Sequence, residues 1–453
     1  MSLERNQPQR IVTTGCPLTK PSQSDSSNSA MASRESHLAS DNSCSTYVKV
    51  SHYGVPVLTP SHRTPQSHPP IVDIDSSDGS SLNQRRVELS DLTVVRKIGQ
   101  GGSAKVFQVQ DRVTNNTLAL KVISKKNLNP ELLKWTLIEQ KTLLANTGSP
   151  HLLSLEASFH DSRNFYLATP FAPLGDLQSE IERCCGLPVE RARIYMAELI
   201  LGLESLHGQG IIHRDIKPAN ILIDPTGHLL LADFGLSRNF DAEPEPSNLN
   251  GTDLPLGLYT TQTCCGTLQF MSPELIAGRP YSFSADLWAA AITLYFMICG
   301  KAPWDAESPS EVTRLIYHTS LSFDENHEPD PITRNFLFRM TEVRPVDRMT
   351  MQELKTHPFF RWGDFSWERV AAGTQKAPVS LAKPEHHPAS TRGLRIPDGQ
   401  PLKSDPFPEF TFTSPRMARA NTFVQGKQVE RCMTIDQRRP AWCKRVKRTL
   451  KKL

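Results

Sequence analysis

The amino-acid sequence predicts an α+β domain of two lobes, a small β-rich lobe with one major helix and a larger, mainly helical lobe, between disordered tails. Three runs, 92–98, 106–110 and 117–123, indicate the small lobe because their side chains alternate with a period of two, as in strands. An almost wholly apolar run from Asp286 to Cys299 indicates the large lobe. This run is too short to cross a bilayer and predicts a buried central helix.

Composition divides the chain into three parts. Of 453 residues, 35 are proline and only 7% are aromatic, and the prolines and serines are concentrated at the two ends. Residues 1–88 show little periodicity and are predicted to be a disordered tail. Residues 91–360 are predicted to form the domain, with lobes at 91–170 and 171–360, because about 270 residues suffice for such a core. Residues 361–453 are predicted to form a C-terminal tail.

Two short strings describe a site for moving a phosphoryl group. Residues 213–220 read HRDIKPAN, and the string DFG begins at Asp233, thirteen residues after Asn220. Between them, the apolar runs 221–223 and 229–231 flank the turn signal DPTG. This pattern predicts a hairpin that brings Asp233 back beside Asn220.

The side chains in these strings suit that chemistry. Asn220 and Asp233 offer two oxygen ligands at one point, as Mg²⁺ prefers when it also binds water and phosphate oxygens. Asp215 is placed to accept the proton of an attacking hydroxyl, and Lys217 to offset charge on the phosphoryl group. Either string alone occurs by chance in loops, but both strings in this order, with a hairpin between them, argue against coincidence.

A glycine-rich segment, IGQGGSAKV at 98–106, lies between the first two predicted strands. Its glycines let backbone N–H groups approach phosphates, although a plain β-turn would explain them equally well. On the next strand Lys121 is costly to bury unless it is paired. A helix predicted between Asn129 and Gly148 offers Glu139 as a partner, in the middle of an apolar stripe. The alternative for Glu139 is a solvated position.

Together these parts resemble the eukaryotic protein kinase family over about residues 91–360. The resemblance implies the bilobal protein kinase fold, ATP and Mg²⁺ as cofactors, and proteins as substrates. It implies catalytic roles for Asp215 and Lys217, and metal binding by Asn220 and Asp233.

The resemblance also implies a nucleotide site in which a Lys121 to Glu139 ion pair holds the α- and β-phosphates. The nucleotide-binding residues that it implies are Ile98, Gly99, Gly101, Gly102, Val106, Ala119, Lys121, Glu139, Thr169, Phe171, Ala172, Asp176 and Leu222. The family has a third glycine where this chain has Ala104. We expect this departure to reduce the mobility of the loop without abolishing nucleotide binding.

Further matches concern the large lobe and its packing. The string SPE at 272–274 stands where the family has APE, and Arg348 matches the arginine that pairs with its glutamate. Four residues match the apolar stack that aligns the two lobes in the family: Leu143, Leu155, His213 and Phe234. Ordinary core packing describes these residues equally well.

Two features indicate which amino acids the enzyme would phosphorylate. Lys217 and the string GT at 266–267, which precedes SPE, resemble the corresponding residues of serine/threonine kinases. The string TCCGT at 263–267 is similar to the activation-loop motif of the AGC group, and FPEFTF at 407–412 matches its hydrophobic motif. The resemblance implies a regulatory C-terminal tail, an upstream activating kinase, and regulatory phosphosites at Thr263 and Thr411. We expect phosphate on Thr263 to recruit Arg214 and so fix the loop, and phosphate on Thr411 to strengthen docking of the tail on the small lobe through basic residues such as Lys125, Lys126 or Lys134. No aromatic-acidic tether is recognisable between residues 370 and 406.

Substrate choice is suggested by a departure from the AGC group. In that group, three acidic side chains of the kinase bind arginines that precede the phosphorylated residue of the substrate. Only the first is kept, as Asp176, whereas the other positions hold Ala219 and Phe296. We expect a preference for arginine three residues before the acceptor and none two residues before it. The alternative is that Asp176 contacts the ribose.

The C-terminal tail carries two further features. Phe407 and Phe410 are expected to fold back onto the small lobe beside the helix of Glu139, or else to form a linear motif for another protein. The end, 438–453, is strongly basic, with apolar residues spaced for one helical face. It could bind an anionic membrane or a partner groove, serve as a nuclear signal, or remain a solvated tail.

Cysteine usage and charge bear on location and partners. Nine cysteines, an odd number without metal-ligand spacing, indicate a reduced compartment. No N-terminal apolar stretch suggests secretion, and no stretch is long enough to span a membrane. We therefore expect a cytoplasmic location, with the nucleus as a second one. The net charge of +4 is modest, so no specific nucleic-acid binding is expected.

The function expected is a serine/threonine protein kinase that transfers the γ-phosphoryl group of ATP to protein hydroxyls, under regulation by activation-loop and tail phosphorylation. One alternative is a catalytically dead kinase fold that acts as a scaffold, which would need a defect invisible in the sequence. The other is a small-molecule kinase, but the peptide-docking strings GT and SPE argue against it.

Overall fold

The computed structural model describes residues 11–13, 85–101, 104–240, 259–324, 328–376, 396–397, 399–400, 402 and 404–418. The described chain has a sheet-based lobe followed by a helical lobe, so the predicted bilobal α+β class is confirmed. Gly102 and the basic end at 438–453 lie outside the described residues.

Twelve strands and ten helices are present in the described residues. The strands are β1 (Ile11–Thr13), β2 (Leu92–Gln100), β3 (Ala104–Asp111), β4 (Thr117–Ser124), β5 (Ala157–His160), β6 (Asn164–Pro170), β7 (Ile211–Ile212), β8 (Ile221–Ile223), β9 (Leu229–Leu231), β10 (Arg238–Asn239), β11 (Cys264–Gly266) and β12 (Phe412–Thr413). The helices are α1 (Pro130–Ala145), α2 (Leu177–Cys184), α3 (Val189–His207), α4 (Pro273–Ile276), α5 (Ser284–Cys299), α6 (Pro309–His318), α7 (Pro331–Met340), α8 (Met351–Thr356), α9 (Trp367–Ala371) and α10 (Pro415–Ala418).

The small lobe is a six-stranded antiparallel sheet in the order β12-β5-β6-β4-β3-β2. On β4, Leu118, Leu120 and Val122 are buried on one face, whereas Ala119 and Lys121 lie on the other, as the period-two pattern predicts. Helix α1 follows β4 and is the lobe's one long helix. It begins where the sequence predicts, because the N-cap Asn129 accepts a hydrogen bond from the Leu132 amide.

The large lobe is organised around α5. This helix is buried along its length apart from Ser284 and Phe296, as its almost continuous apolar sequence predicts. It packs against α3, whose residues from Tyr195 to Ile200 are all buried. The predicted hairpin is present as β8 and β9, and Gly227 adopts a φ of 89° in its turn, a conformation that suits glycine.

Segments from both ends of the chain pack onto the domain. Strand β12 adds the C-terminal tail to the edge of the small-lobe sheet beside β5. Near the N-terminus, β1 pairs antiparallel with β11, and Arg85 and Val87, which precede the predicted start of the domain, are buried. Among the residues that the structure describes, no helix combines the length and apolarity needed to cross a membrane.

Candidate active site

The carboxylate of Asp215 is held by three side chains. Asn220 donates a hydrogen bond to Asp215 Oδ2 at 2.8 Å, and the Thr267 hydroxyl donates one to Oδ1 at 2.9 Å. Lys217 Nζ lies 3.0 Å from Oδ2 and also donates to the Thr267 hydroxyl at 2.6 Å. These contacts fix the orientation of a carboxylate that is 3% exposed, which is the requirement for a positioned proton acceptor.

The loop that carries Asp215 is anchored by the buried Asp286 at the start of α5. Its two carboxylate oxygens accept hydrogen bonds from the His213 and Arg214 amides at 2.8 and 2.9 Å. His207 Nε2 lies 2.9 Å from the same carboxylate. Burial alone would raise the pKa of Asp286, but the hydrogen bond and charge of His207, together with the charge and the backbone amide of His213, lower it. The ionised carboxylate thus holds the left-handed turn at Arg214, whose φ is 69°.

The hairpin of β8 and β9 brings the two predicted metal ligands to one place. The Ala232 amide donates to the Asn220 carbonyl at 2.9 Å, so Asp233 follows directly beside Asn220. Asp233 adopts a left-handed φ of 62°, and its Oδ1 lies 3.5 Å from Lys121 Nζ. An amide oxygen and a carboxylate at one point form a hard-oxygen donor set that fits Mg²⁺.

The expected ion pair of the small lobe is present. Lys121 Nζ lies 2.5 Å from Glu139 Oε1 and 2.7 Å from Oε2. Because Lys121 also approaches Asp233, the β4 strand, helix α1 and the DFG segment meet at one ammonium group. The Thr142 and Ser237 hydroxyls, 3.2 Å apart, make a second contact between α1 and that segment.

All four predicted interlobe residues are buried, and Leu143, Leu155 and Phe234 belong to one continuous hydrophobic core. The rings of His213 and Phe234 pack edge to face, with centroids 5.3 Å apart. The Leu155 amide donates to the Leu143 carbonyl at 3.1 Å, and all four side chains are at most 2% exposed. This packing connects α1 to the loop of Asp215 through apolar contacts.

Strand register places several predicted nucleotide residues side by side. Gly99 pairs with Val106, and Val106 pairs with Lys121, so these three lie in one row across β2, β3 and β4. Ala119 pairs in the same way with Thr169 on β6.

The other predicted nucleotide residues lie at the edges of this sheet and below it. Phe171 and Ala172 follow β6 directly, and an isolated bridge joins Asp176 to Leu222. The side chain of Ile98 is 37% exposed on β2, and the Gly101 amide donates to the Ala104 carbonyl in the glycine-rich turn.

The segment from Asp233 to Glu274, here the activation segment, contains the predicted phosphosite Thr263. Thr263 Oγ1 lies 3.5 Å from Thr261 Oγ1, which accepts a hydrogen bond from Arg238 at 2.9 Å. The side chain of Arg214 instead donates to the carbonyls of Leu236 and Ser237. Thus Arg238 is connected to Thr263 through one hydroxyl, a role that the sequence analysis missed.

The far end of the activation segment is fixed to the large lobe. Arg348 donates to both carboxylate oxygens of Glu274 at 2.9 and 3.1 Å, which confirms the predicted pair. Both side chains are at most 5% exposed. A bidentate pair in such a dry site holds the end of the segment near the start of α5, where the Ser284 carbonyl accepts a hydrogen bond from Arg348 at 2.8 Å.

The three positions implicated in substrate choice differ in chemistry as the sequence suggested. Asp176 caps α2, where its Oδ1 accepts from the Ser179 amide at 2.7 Å. Ala219 is exposed, and the ring of Phe296 lies 6.2 Å from that of Phe270 in the activation segment. A carboxylate is therefore present at the first position, and apolar groups occupy the other two.

The tail docks on the small lobe, as predicted. Phe410 is 1% exposed, and its ring centroid lies 4.9 Å from that of Phe165, while Phe407 lies 5.3 Å from the same ring. The ammonium of Lys125 lies 4.2 Å from the Phe165 ring centroid, where its charge meets the π face. Thr411 is partly buried next to this cluster.

A second part of the tail also contacts the small lobe, although the sequence analysis found no tether there. Ile396 is buried, and the Gly399 amide donates to Asp161 Oδ2 at 2.7 Å. The Gln400 amide donates to the Ser162 hydroxyl at 2.9 Å. These contacts are mostly made by backbone groups, which leave no recognisable side-chain motif.

Three further residues that contact the candidate site, Thr267, Asp286 and Arg238, were not assigned these contacts from the sequence. Only Asp286 left a signal, since an acid at the start of an apolar helix must find partners if it is buried. Thr267 and Arg238 act through residues about fifty and twenty positions away, and sequence spacing does not reveal such contacts.

Comparison with known proteins gives one family and many relatives. Residues 92–360 match the family described as protein kinase domain. The serine/threonine protein kinase ypkA of Aspergillus fumigatus is 32% identical over 290 residues, 63% of this chain and 43% of that protein. The serine/threonine-protein kinase gad8 of Schizosaccharomyces pombe is 33% identical over 282 residues, which cover 62% of this chain and 46% of that protein. Atypical protein kinase C of Drosophila melanogaster is 31% identical over 315 residues, which cover 63% of this chain and 47% of that protein. The chain spans less than half the length of these curated relatives.

Proposed function

Because this chain belongs to the protein kinase family, we propose that it is an AGC-like serine/threonine protein kinase that transfers the γ-phosphoryl group of ATP to protein hydroxyls. The observation that carries the proposal is the assembled site, in which Asp215 is held by Asn220 and Thr267 while Lys121 pairs with Glu139. The relatives named as serine/threonine kinases support the acceptor class.

The residues of this chain divide the work of transfer among them. Asp215 accepts the proton of the attacking hydroxyl, and the hydrogen bonds from Asn220 and Thr267 aim its oxygens at that proton. Lys217, fixed by Thr267, offsets negative charge near the transferred group. Lys121, fixed by Glu139, holds the non-transferred phosphates.

Asn220 and Asp233 would hold Mg²⁺, and their oxygen donors fit it. Bound Mg²⁺ supplies charge neutralisation at the phosphate oxygens. The Lys121 ammonium within 3.5 Å of Asp233 keeps that carboxylate turned toward the site. The row of Gly99, Val106 and Lys121 is where the nucleotide would lie, beneath the glycine-rich turn.

Regulation and location form the outer part of the proposal. An upstream kinase would phosphorylate Thr263, where Arg238 is connected through Thr261. A cytoplasmic protein with access to the nucleus agrees with the cysteine content and the basic end at 438–453. That basic end would attach the protein to an anionic membrane or to a partner.

A radiolabelled transfer assay tests the proposal. The purified full chain is incubated with γ-labelled ATP, Mg²⁺ and a mixture of basic protein substrates, beside a matched Asp215→Asn variant. We expect label on serine and threonine of the proteins with the wild-type chain and almost none with the variant. Absence of transfer by both would favour a scaffold, and transfer only to added metabolites would favour a small-molecule kinase.

A further inference from the structure

Ser414 lies at the point where the tail leaves the small-lobe sheet, directly after β12. Its hydroxyl donates to Glu156 Oε2 at 2.5 Å, and its amide donates to the Glu156 carbonyl at 2.8 Å. The same hydroxyl accepts from the Met417 amide at 3.3 Å, which caps the short helix α10. Ser414 and Glu156 are each 8% exposed. The tail is thus joined to the sheet by a buried serine that faces a buried carboxylate.

This contact cannot accommodate a phosphate. A phosphoryl group on Ser414 would remove the proton donated to Glu156 and add a charge of about −1.5 to −2 beside that carboxylate. Within the described part of the chain, Glu156 forms its ion pair with Arg416, at 3.5 Å, but the Arg416 side chain is 69% exposed. One exposed guanidinium cannot offset two anionic groups in a dry site, so the docked tail would be disfavoured.

The sequence makes Ser414 a suitable acceptor once the tail is undocked. Pro415 follows it directly, and Ser-Pro is the pattern that a proline-directed kinase reads. The hydroxyl is buried while β12 pairs with β5, so a modifying enzyme reaches it only when that pairing opens. Modification would therefore capture the open tail and prevent its return.

We propose that Ser414 is a phosphorylation site for a separate, proline-directed kinase and that its modification releases residues 404–418 from the small lobe. In the modifying reaction the bond between the β–γ bridging oxygen and the γ-phosphorus of ATP breaks, and a bond from Ser414 Oγ to that phosphorus forms. The hydroxyl proton passes to the base of the modifying enzyme, and ADP leaves.

The effect of this site is opposite in sign to that expected at Thr411, three residues earlier. If tail docking favours the Lys121 to Glu139 pair, phosphate at Ser414 lowers activity. This consequence rests on the proposed function, whereas release of the tail does not. The tail would then carry one site that strengthens docking and one that abolishes it.

Hydrogen exchange on the full chain tests the release. Phosphoserine is incorporated at position 414 or, as a matched control, at the exposed Ser404. We expect the Phe412 and Ser414 amides to lose protection by at least about tenfold in the first protein, as for loss of a hydrogen bond to a charged group, and to keep it in the second. Unchanged protection with phosphoserine at 414 would overturn the proposal.

Two variants make the test specific. In Glu156→Gln the neutral amide can donate to the phosphate, so protection should partly return when position 414 carries phosphoserine. Phe410→Ala should increase the rate at which a proline-directed kinase and ATP modify Ser414, measured by mass spectrometry of the full chain. No modification at Ser414 even in Phe410→Ala would also overturn the proposal. If phosphoserine at 414 releases the tail but the chain has no kinase activity, the release proposal stands and only the proposed function is refuted.

Discussion

The hydroxyl of Ser158 donates a 2.5 Å hydrogen bond to the carbonyl of Phe410, so the tail is bonded to the strand β5. The same hydroxyl accepts a hydrogen bond from Gln140 Nε2 at 3.5 Å, and Gln140 is the neighbour of Glu139 on α1. Two consecutive hydrogen bonds therefore connect the docked tail to the helix that carries the partner of Lys121. This connection is the physical basis for expecting tail docking and catalysis to share one equilibrium.

Removal of the tail's main anchor should lower activity. Phe410→Ala deletes a fully buried ring and should cost about 3–5 kcal/mol of docking free energy, whereas the partly exposed Phe407 should cost less when changed to Ala. Turnover should fall in both variants and in a chain that ends at residue 400. A peptide of residues 404–414, added to the shortened chain, should partly restore turnover. Wild-type turnover in all three proteins would show that the tail recruits partners instead.

Asp215→Asn should lower turnover by roughly 10²- to 10⁴-fold, the usual range for a general base, with nucleotide affinity nearly unchanged. Asparagine keeps the shape and still accepts from Thr267, so the fold should be preserved. Asp233→Asn should instead weaken binding of Mg²⁺ with nucleotide. Steady-state kinetics and nucleotide titrations of both variants separate the two roles, and retained turnover would remove Asp215 from the mechanism.

Thr263→Ala should lower activity if phosphate at this position orders the activation segment. Because Arg238 reaches Thr261 at 2.9 Å, Arg238→Ala should lower activity to a similar degree, and the two changes together should cost little more than either alone. Arg183→Ala, which removes an arginine whose side chain is 62% exposed on α2, is the control. Full activity of Thr263→Ala, with no phosphate at Thr263 in active protein by mass spectrometry, would contradict the prediction.

Substrate selection should depend on Asp176. A peptide series should show a preference for arginine three residues before the acceptor and none two residues before it, because apolar Ala219 and Phe296 cannot pair with a guanidinium. Asp176→Asn can still cap α2, so it should reduce the arginine preference while leaving the fold intact. A dominant preference for arginine at the second position would refute this reading. If Asp176→Asn weakens ATP binding and leaves the arginine preference unchanged, Asp176 contacts the ribose instead.

The buried pair of Arg85 and Asp111 should make stability depend on acid pH. Burial raises the pKa of Asp111, but hydrogen bonds from Arg85 and Thr114 outweigh it and lower this pKa to about 2. The folded pKa lies below the unfolded one, about 3.9, so the stabilisation is present above pH 4 and is lost as pH falls toward 2. Asp111→Asn should cost about 2 kcal/mol at pH 7 by urea unfolding.

The difference in free energy of unfolding between the wild type and Asp111→Asn should become smaller as the pH of the measurement falls from 5 to 3. Asp347→Asn serves as control because that carboxylate is half exposed, and its effect should be small at every pH. A difference that stays constant over this range would show that Asp111 does not titrate with folding.

Local patterns in the sequence determined the parts of this protein whose chemistry lies within a few residues. The strings HRDIKPAN and DFG identify Asp215, Asn220 and Asp233, and the turn signal between the strings places them together because a hairpin is short-range. The alternation of β4 and the cap at Asn129 are equally local, so the orientation of Lys121 and the start of α1 could be predicted.

Only the tertiary structure decided which distant groups complete the site. Asp286 supports a loop more than seventy residues earlier, Thr267 aligns Asp215 from about fifty residues away, and Ser158 meets the Phe410 carbonyl across some 250 residues. Buried polar groups must be satisfied by whatever donors packing brings near, and packing depends on the whole core rather than on spacing along the chain. The sequence could therefore name the proposed catalytic residues and the partner of Lys121, but it could not name Thr267, Asp286 or Ser158 as their distant supports.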